Sequence, residues 1–178
     1  MAALLQDKVS TSKRCPMKKP AFFIVALAVA TSILAPSNAS ADTEGPYTYT
    51  VAEGQATITD FSTSYSGALS ITNELGGYPV TSIGDSAFRD CASLTSVTIP
   101  YGVTTIRGAA FSYCTSLVSV TIPDSVTTIG IYAFACCTSL TSVTIGSGVT
   151  TIDDTVFFDC TSLTSVTLHN NLSGFKAL

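Results

Sequence analysis

The sequence predicts a repeat solenoid, a β-rich coil of stacked 23-residue units with a short helical or 3₁₀ turn in each. Three observations lead there. First, seven apolar columns recur every 23 residues between residues 80 and 168. They are Val80, Val103, Val126, Val149; Ile83, Ile106, Ile129, Ile152; Phe88, Phe111, Phe134, Phe157; Cys91, Cys114, Cys137, Cys160; Leu94, Leu117, Leu140, Leu163; Val97, Val120, Val143, Val166; and Ile99, Ile122, Ile145, Leu168. Second, each unit holds one run of β-branched residues in strict alternation. Third, a corner of Pro, Gly, Asp or Ser follows each run. A period between about 20 and 50 residues with apolar columns marks units that cannot bury their apolar face alone and must stack on copies of themselves.

At the N-terminus, Lys18 and Lys19 precede an apolar run over residues 21–35, and Ala39-Ser40-Ala41 supplies a small-x-small cleavage site before Asp42. This is the three-part grammar of a secretory signal, so residues 1–41 are expected to be removed on export, with Met17 as an alternative start. The run is shorter than the roughly 20 residues a membrane span needs. Residues 42–79 then read as an N-terminal cap and a degenerate first repeat. Tyr47-Thr48-Tyr49-Thr50-Val51 alternates as a strand, Glu53-Gly54 turns it, and residues 56–61 return. Such a hairpin covers the apolar columns and the strand edge that a first unit would otherwise expose. Leu69-Ser70-Ile71 repeats the pattern of Val97-Thr98-Ile99, and residues 73–77 insert five positions at the corner, where a surface loop is expected.

Four units fill residues 80–171. In each, Leu94-Thr95-Ser96-Val97-Thr98-Ile99 or its equivalent places Val97 and Ile99 on one face and Ser96 and Thr98 on the other, the pattern of a half-buried strand. Val103-Thr104-Thr105-Ile106 is a second short extended piece. Ala110, Phe111 and Cys114 then stand three or four apart, the spacing of a helical turn. Each unit offers about seven inward apolar side chains worth roughly 1.5–3 kcal/mol apiece. Ordering costs about 1–2 kcal/mol per residue, so a lone unit does not fold. Leu172 and Phe175 fall on the Val149 and Ile152 columns, making residues 172–178 a partial repeat or C-terminal cap.

The phrase Ile83-Gly84-Asp85-Ser86-Ala87-Phe88-Arg89-Asp90-Cys91-Ala92-Ser93-Leu94-Thr95-Ser96-Val97-Thr98-Ile99-Pro100 resembles the unit of the BspA-like bacterial leucine-rich-repeat family, and four consecutive units carry it. The resemblance implies a right-handed leucine-rich-repeat solenoid on a secreted or cell-surface protein. It further implies adhesion or partner binding, not catalysis.

Charge narrows the class of partner. From Asp42 onward eleven acidic residues stand against Arg89, Arg107 and Lys176, a net of −8. Phosphate backbones and anionic membranes need several Lys or Arg to displace counterions, so neither nucleic acid nor membrane insertion after signal cleavage is expected. No cofactor or metal is implied. His169, the sole histidine, sits in the corner column of Pro100, Pro123 and Gly146. The pair Asp153-Asp154 lacks the oxygen count of a calcium site. No nucleophile elbow, phosphate loop or zinc-protease motif occurs, and the chain is not expected to be an enzyme. Cys91, Cys114, Cys137 and Cys160 share an inward column, where they act as small hydrophobes or form a rung-to-rung disulfide. Cys136 falls on the column of Asp90, Tyr113 and Asp159, and is expected to face outward and react.

What repeats on the outside is a hydroxyl surface. Ser96, Ser119, Ser142 and Ser165 form one file and Thr98, Thr121, Thr144 and Thr167 the next. These eight residues are the candidate binding face for an extracellular protein or glycan. The competing readings are a structural spacer of a larger envelope protein, with Thr chosen because it solvates a strand without charge, and, more remotely, a water-ordering array like those of ice-binding solenoids.

Overall fold

In a computed structural model that describes residues 40–169, the 23-residue units wind around a single apolar core between two sheets. The main alternating segments form one face. Strands β4 (Gly67–Ser70), β7 (Leu94–Thr98), β9 (Ser119–Ile122), β11 (Ser142–Ile145) and β12 (Ser165–Leu168) stack in that spatial order as a five-stranded parallel sheet. Their register is the sequence register: Val97 lies against Val120, Val120 against Val143, and Val143 against Val166. Like residues therefore sit on like, which is why the columns are uniform.

The second sheet has seven strands and two origins. Short parallel pieces β6 (Tyr78–Ile83), β8 (Thr105–Ile106) and β10 (Thr128–Ile129) come from successive units. Strands β1 (Asp42–Glu44), β2 (Tyr47–Ala52) and β3 (Gln55–Phe61) are antiparallel neighbours, and β3 pairs parallel with β6 through Ala56–Val80 and Ile58–Ile83. The hairpin β2–β3 thus lies in the ladder and does not merely cover its end. The residue 73–77 insertion is ordered as well. Glu74–Leu75 (β5) turns back on β6 through Gly76 and Gly77, both at positive φ, and Leu75 is buried.

Every apolar column expected to point inward does so in the internal units. Phe88, Phe111 and Phe134 are fully buried and stack almost parallel, with ring centroids 4.9 and 5.2 Å apart and planes at 13° and 4°. Phe157 continues the stack at 5.8 Å. Phe61 of the hairpin begins it, 4.8 Å from Phe88. At the far unit Ile152, Cys160, Leu163, Val166 and Leu168 are only partly buried against the core.

One local expectation is corrected. The segments holding Phe88 and Phe111 are chains of β-turns, and no helix or 3₁₀ turn occurs among the described residues. Ser86 and Asp90, then Ala109 and Tyr113, then Tyr132 and Cys136 take left-handed φ values between 52° and 65°. Each alternates with residues that close three-residue turns, as in Ala87 N–H to Gly84 O and Cys91 N–H to Phe88 O. That alternation aims every second amide along the solenoid axis: Ser86, Phe88 and Asp90 donate to Gly108, Ala110 and Ser112 of the next unit at 2.7–3.0 Å. A helix would have kept those amides within its own turn and left the units unlinked there. No described helix is long and apolar enough to cross a membrane. The expected signal segment, apart from residues 40 and 41, and the partial repeat with Leu172 and Phe175 lie outside the described residues.

Candidate functional site

All eight candidate residues stand on the five-stranded sheet. Ser96 pairs with Ser119, Ser119 with Ser142 and Ser142 with Ser165; Thr98, Thr121, Thr144 and Thr167 pair in the same way. Val97 and its equivalents, between the two files, point into the core, so the hydroxyls are forced outward by the two-residue period of the strand. Thr98, Ser119, Thr121, Ser165 and Thr167 are exposed, and Ser96, Ser142 and Thr144 are half-buried. The files repeat along the solenoid axis at the strand spacing of about 4.8 Å and lie about 6.6 Å apart along each strand. Strand β4 extends them by one step, with Ala68 against Ser96 and Ser70 against Thr98. Ser70 was accessible to sequence reasoning through the Leu69-Ser70-Ile71 pattern.

Two classes of threonine separate in the structure. Thr104, Thr127, Thr141 and Thr164 each donate their hydroxyl to the carbonyl of the residue 23 positions earlier, at 3.1–3.2 Å, and so tie one unit to the next. None of the eight hydroxyls on the candidate face bonds another described residue. Those eight are available as donors and acceptors to a ligand or to water. The threonines of the second extended piece, by contrast, are in part structural.

The turns at the sheet's margin carry features that periodicity alone did not flag. Tyr78 and Tyr101 share a corner column and are 43% and 74% exposed. Asp124 and Ser147 occupy the same column in the next two units. The Ser147 N–H donates to Asp124 Oδ1 at 2.6 Å, and this bond, with the Ser147 hydroxyl, holds the Asp124 carboxyl below its usual range. Asp153 is held low by the Thr155 hydroxyl and amide. His169 is exposed. Among the described residues no group of three His, Cys, Asp or Glu is arranged to hold a metal ion.

The inward cysteines are free thiols with a specific task. Cys114, Cys137 and Cys160 donate S–H to the carbonyls of Phe88, Phe111 and Phe134 at 3.3, 3.2 and 3.0 Å, linking each turn to the preceding unit. Hydrogen bonding to Cys114, then burial, pushes the Cys137 thiol up; contact with Cys137, then burial, does the same to Cys160. Cys137 and Cys160 are therefore protonated and unreactive at neutral pH. Cys136 corrects an expectation: it is 3% exposed and is not among the free thiols. The other members of its column range from half-exposed at Asp90 and Tyr113 to exposed at Asp159.

The model of the BspA type leucine rich repeat region matches residues 78–177 in six copies. A leucine-rich repeat protein from Bacteroides capillosus is 32% identical, with 73% of this chain and 99% of that one covered and a TM-score of 0.66. A leucine rich cell surface protein from Faecalibacterium prausnitzii is 35% identical over 74% of this chain and 43% of its own, with a TM-score of 0.59. The T. pallidum leucine-rich repeat protein is 25% identical over 71% of each chain, at a TM-score of 0.56. No curated protein matches. With more than half its length matched in the register that builds the solenoid, the chain belongs to the BspA-type leucine-rich-repeat family.

Proposed function

We infer that this protein works outside the cell or at the cell surface as a non-catalytic binding module, engaging a protein or glycan through the Ser/Thr face of its five-stranded sheet. One observation carries the reading. The hydroxyls of Ser96, Thr98, Ser119, Thr121, Ser142, Thr144, Ser165 and Thr167 are held in register on a parallel sheet, while the hydroxyls that tie unit to unit belong to other threonines, Thr104, Thr127, Thr141 and Thr164. Similarity to a leucine rich cell surface protein supports the location. The face lacks the Trp, Arg and Tyr anchors that dominate tight interfaces. Single contacts are weak, and affinity comes from repetition along the face.

The test compares wild type with the double variant Thr121→Lys and Thr144→Lys on immobilised extracellular-matrix proteins and neutral glycans. Lysine at two central positions introduces like charges one strand apart and removes two hydroxyls. Binding falls at least tenfold if the face is the contact. Undiminished binding by the folded double variant moves the contact off this sheet, and a pure spacer binds neither surface in either form.

A further inference from the structure

Resting on the reading that the five-stranded sheet is the contact, we propose that its ligand is a neutral linear glycan lying along the solenoid axis, across the strands, with Tyr101 as the stacking ring at the rim. The chemistry of the face selects this class. None of the five strands contains a charged residue, whereas the opposite sheet carries Asp42, Glu44, Asp60 and Glu74. Between residues 40 and 169 eleven carboxylates face only Arg89 and Arg107, and Arg89 is already placed over the Tyr113 ring and beside Asp90. A charged partner finds no counter-charge on this sheet. A polyanionic glycan is repelled by the whole molecule.

A neutral sugar finds matching groups. Each Ser or Thr hydroxyl both donates and accepts, as sugar hydroxyls do. One Ser/Thr pair recurs at four of the five strands, with Ser70 beside Ala68 on β4, about 4.8 Å along the axis, a step close to the advance of one sugar in an extended glycan. Consecutive sugars therefore meet the same donors and acceptors in turn. At the margin, Tyr101 lies three residues beyond Thr98 and offers an exposed ring for the C–H face of a sugar, with the fixed Asp124 carboxylate one period after; Tyr78, one period before, stands on β6 of the other sheet.

The experiment is titration calorimetry of the whole protein against a panel of neutral linear glycans, glucans, mannans, xylans, galactans and poly-N-acetylglucosamine, each from two to eight sugars. At least one series binds, with affinity rising per added sugar to about five units, one per strand, and flat beyond. Tyr101→Ala weakens it about tenfold and the Thr121→Lys, Thr144→Lys pair abolishes it. Thr127→Lys, next to β10 of the other sheet, leaves it unchanged. Binding to no glycan in the panel overturns the proposal; if matrix proteins still bind and the double variant stops them, the sheet remains the contact and only the ligand class is wrong. Glycan binding that ignores both the Tyr101 and the double-lysine variants overturns the site itself.

Discussion

Replacing Phe111 by Ala tests whether the aromatic stack is the spine of the solenoid. Phe111 is fully buried and lies between two near-parallel rings, 4.9 Å from Phe88 and 5.2 Å from Phe134. Truncating a buried Phe costs about 3–5 kcal/mol, and a stacked pair is worth about 0.5–1.5 kcal/mol beyond its buried area. Two such pairs place Phe111→Ala at the top of the range, about 5 kcal/mol. Phe157 makes one longer stacked contact, 5.8 Å, and is 9% exposed, which places Phe157→Ala near about 3 kcal/mol on the same scale. Phe111→Leu keeps most of the volume and loses only the stacking, about 2 kcal/mol. Urea unfolding followed by far-UV circular dichroism measures all three. A domain of this size holds about 5–15 kcal/mol in total, so Phe111→Ala unfolds at very low urea. A cost for Phe111→Ala no larger than that for Phe157→Ala would refute the reasoning, because the stack would then contribute nothing beyond separate burial.

Three further outcomes follow from particular contacts. Thr127→Val removes a hydroxyl that bonds the Thr104 carbonyl and costs about 0.5–1 kcal/mol, whereas Thr121→Val on the open face stays within about 0.5 kcal/mol; equal costs in chemical denaturation would erase the distinction between the two classes of threonine. Asp124 and Asp153 have depressed folded-state pKa values, so their contribution is complete above the ordinary carboxylate pKa of about 4 and fades as pH falls through the folded values. Melting temperature therefore drops from pH 5 to pH 3, and Asp124→Asn flattens that drop; an unaltered acid profile in the variant would contradict it. Folded protein resists thiol labelling at Cys91, Cys114 and Cys137 at pH 7.5 and takes up reagent only after denaturation, as mass spectrometry reads directly; rapid labelling of the native state would mean the column is open.

The period made the sheets legible because parallel in-register stacking maps sequence spacing onto space without distortion. Once Val97 and Val120 are 23 apart, their adjacency on β7 and β9 follows, and so does the outward hydroxyl face. The turn conformation did not follow. Ala110, Phe111 and Cys114 fit a helical turn and a chain of β-turns equally well, and the residues that adopt left-handed φ include Ala109 and Tyr113, types with no preference for it. What holds them there is the ladder of amides to the next unit, a tertiary effect invisible to local propensity. Phe61 was missed as a stack member because it precedes Phe88 by 27 residues and so lies off the repeat. Cys136 was misjudged by treating its column as uniformly outward.

That off-period phenylalanine has a wider consequence. Because the copies are nearly interchangeable, the chain could slip by a whole turn and still satisfy most valine, leucine and threonine contacts, so the repeats by themselves leave the numbering of the coil degenerate. Strand β3 and Phe61 lie off the 23-residue period and pair with Val80, Ile83 and Phe88. They fix the origin from which every later turn is counted, and lengthening or shortening the coil by one 23-residue block leaves that zero point untouched.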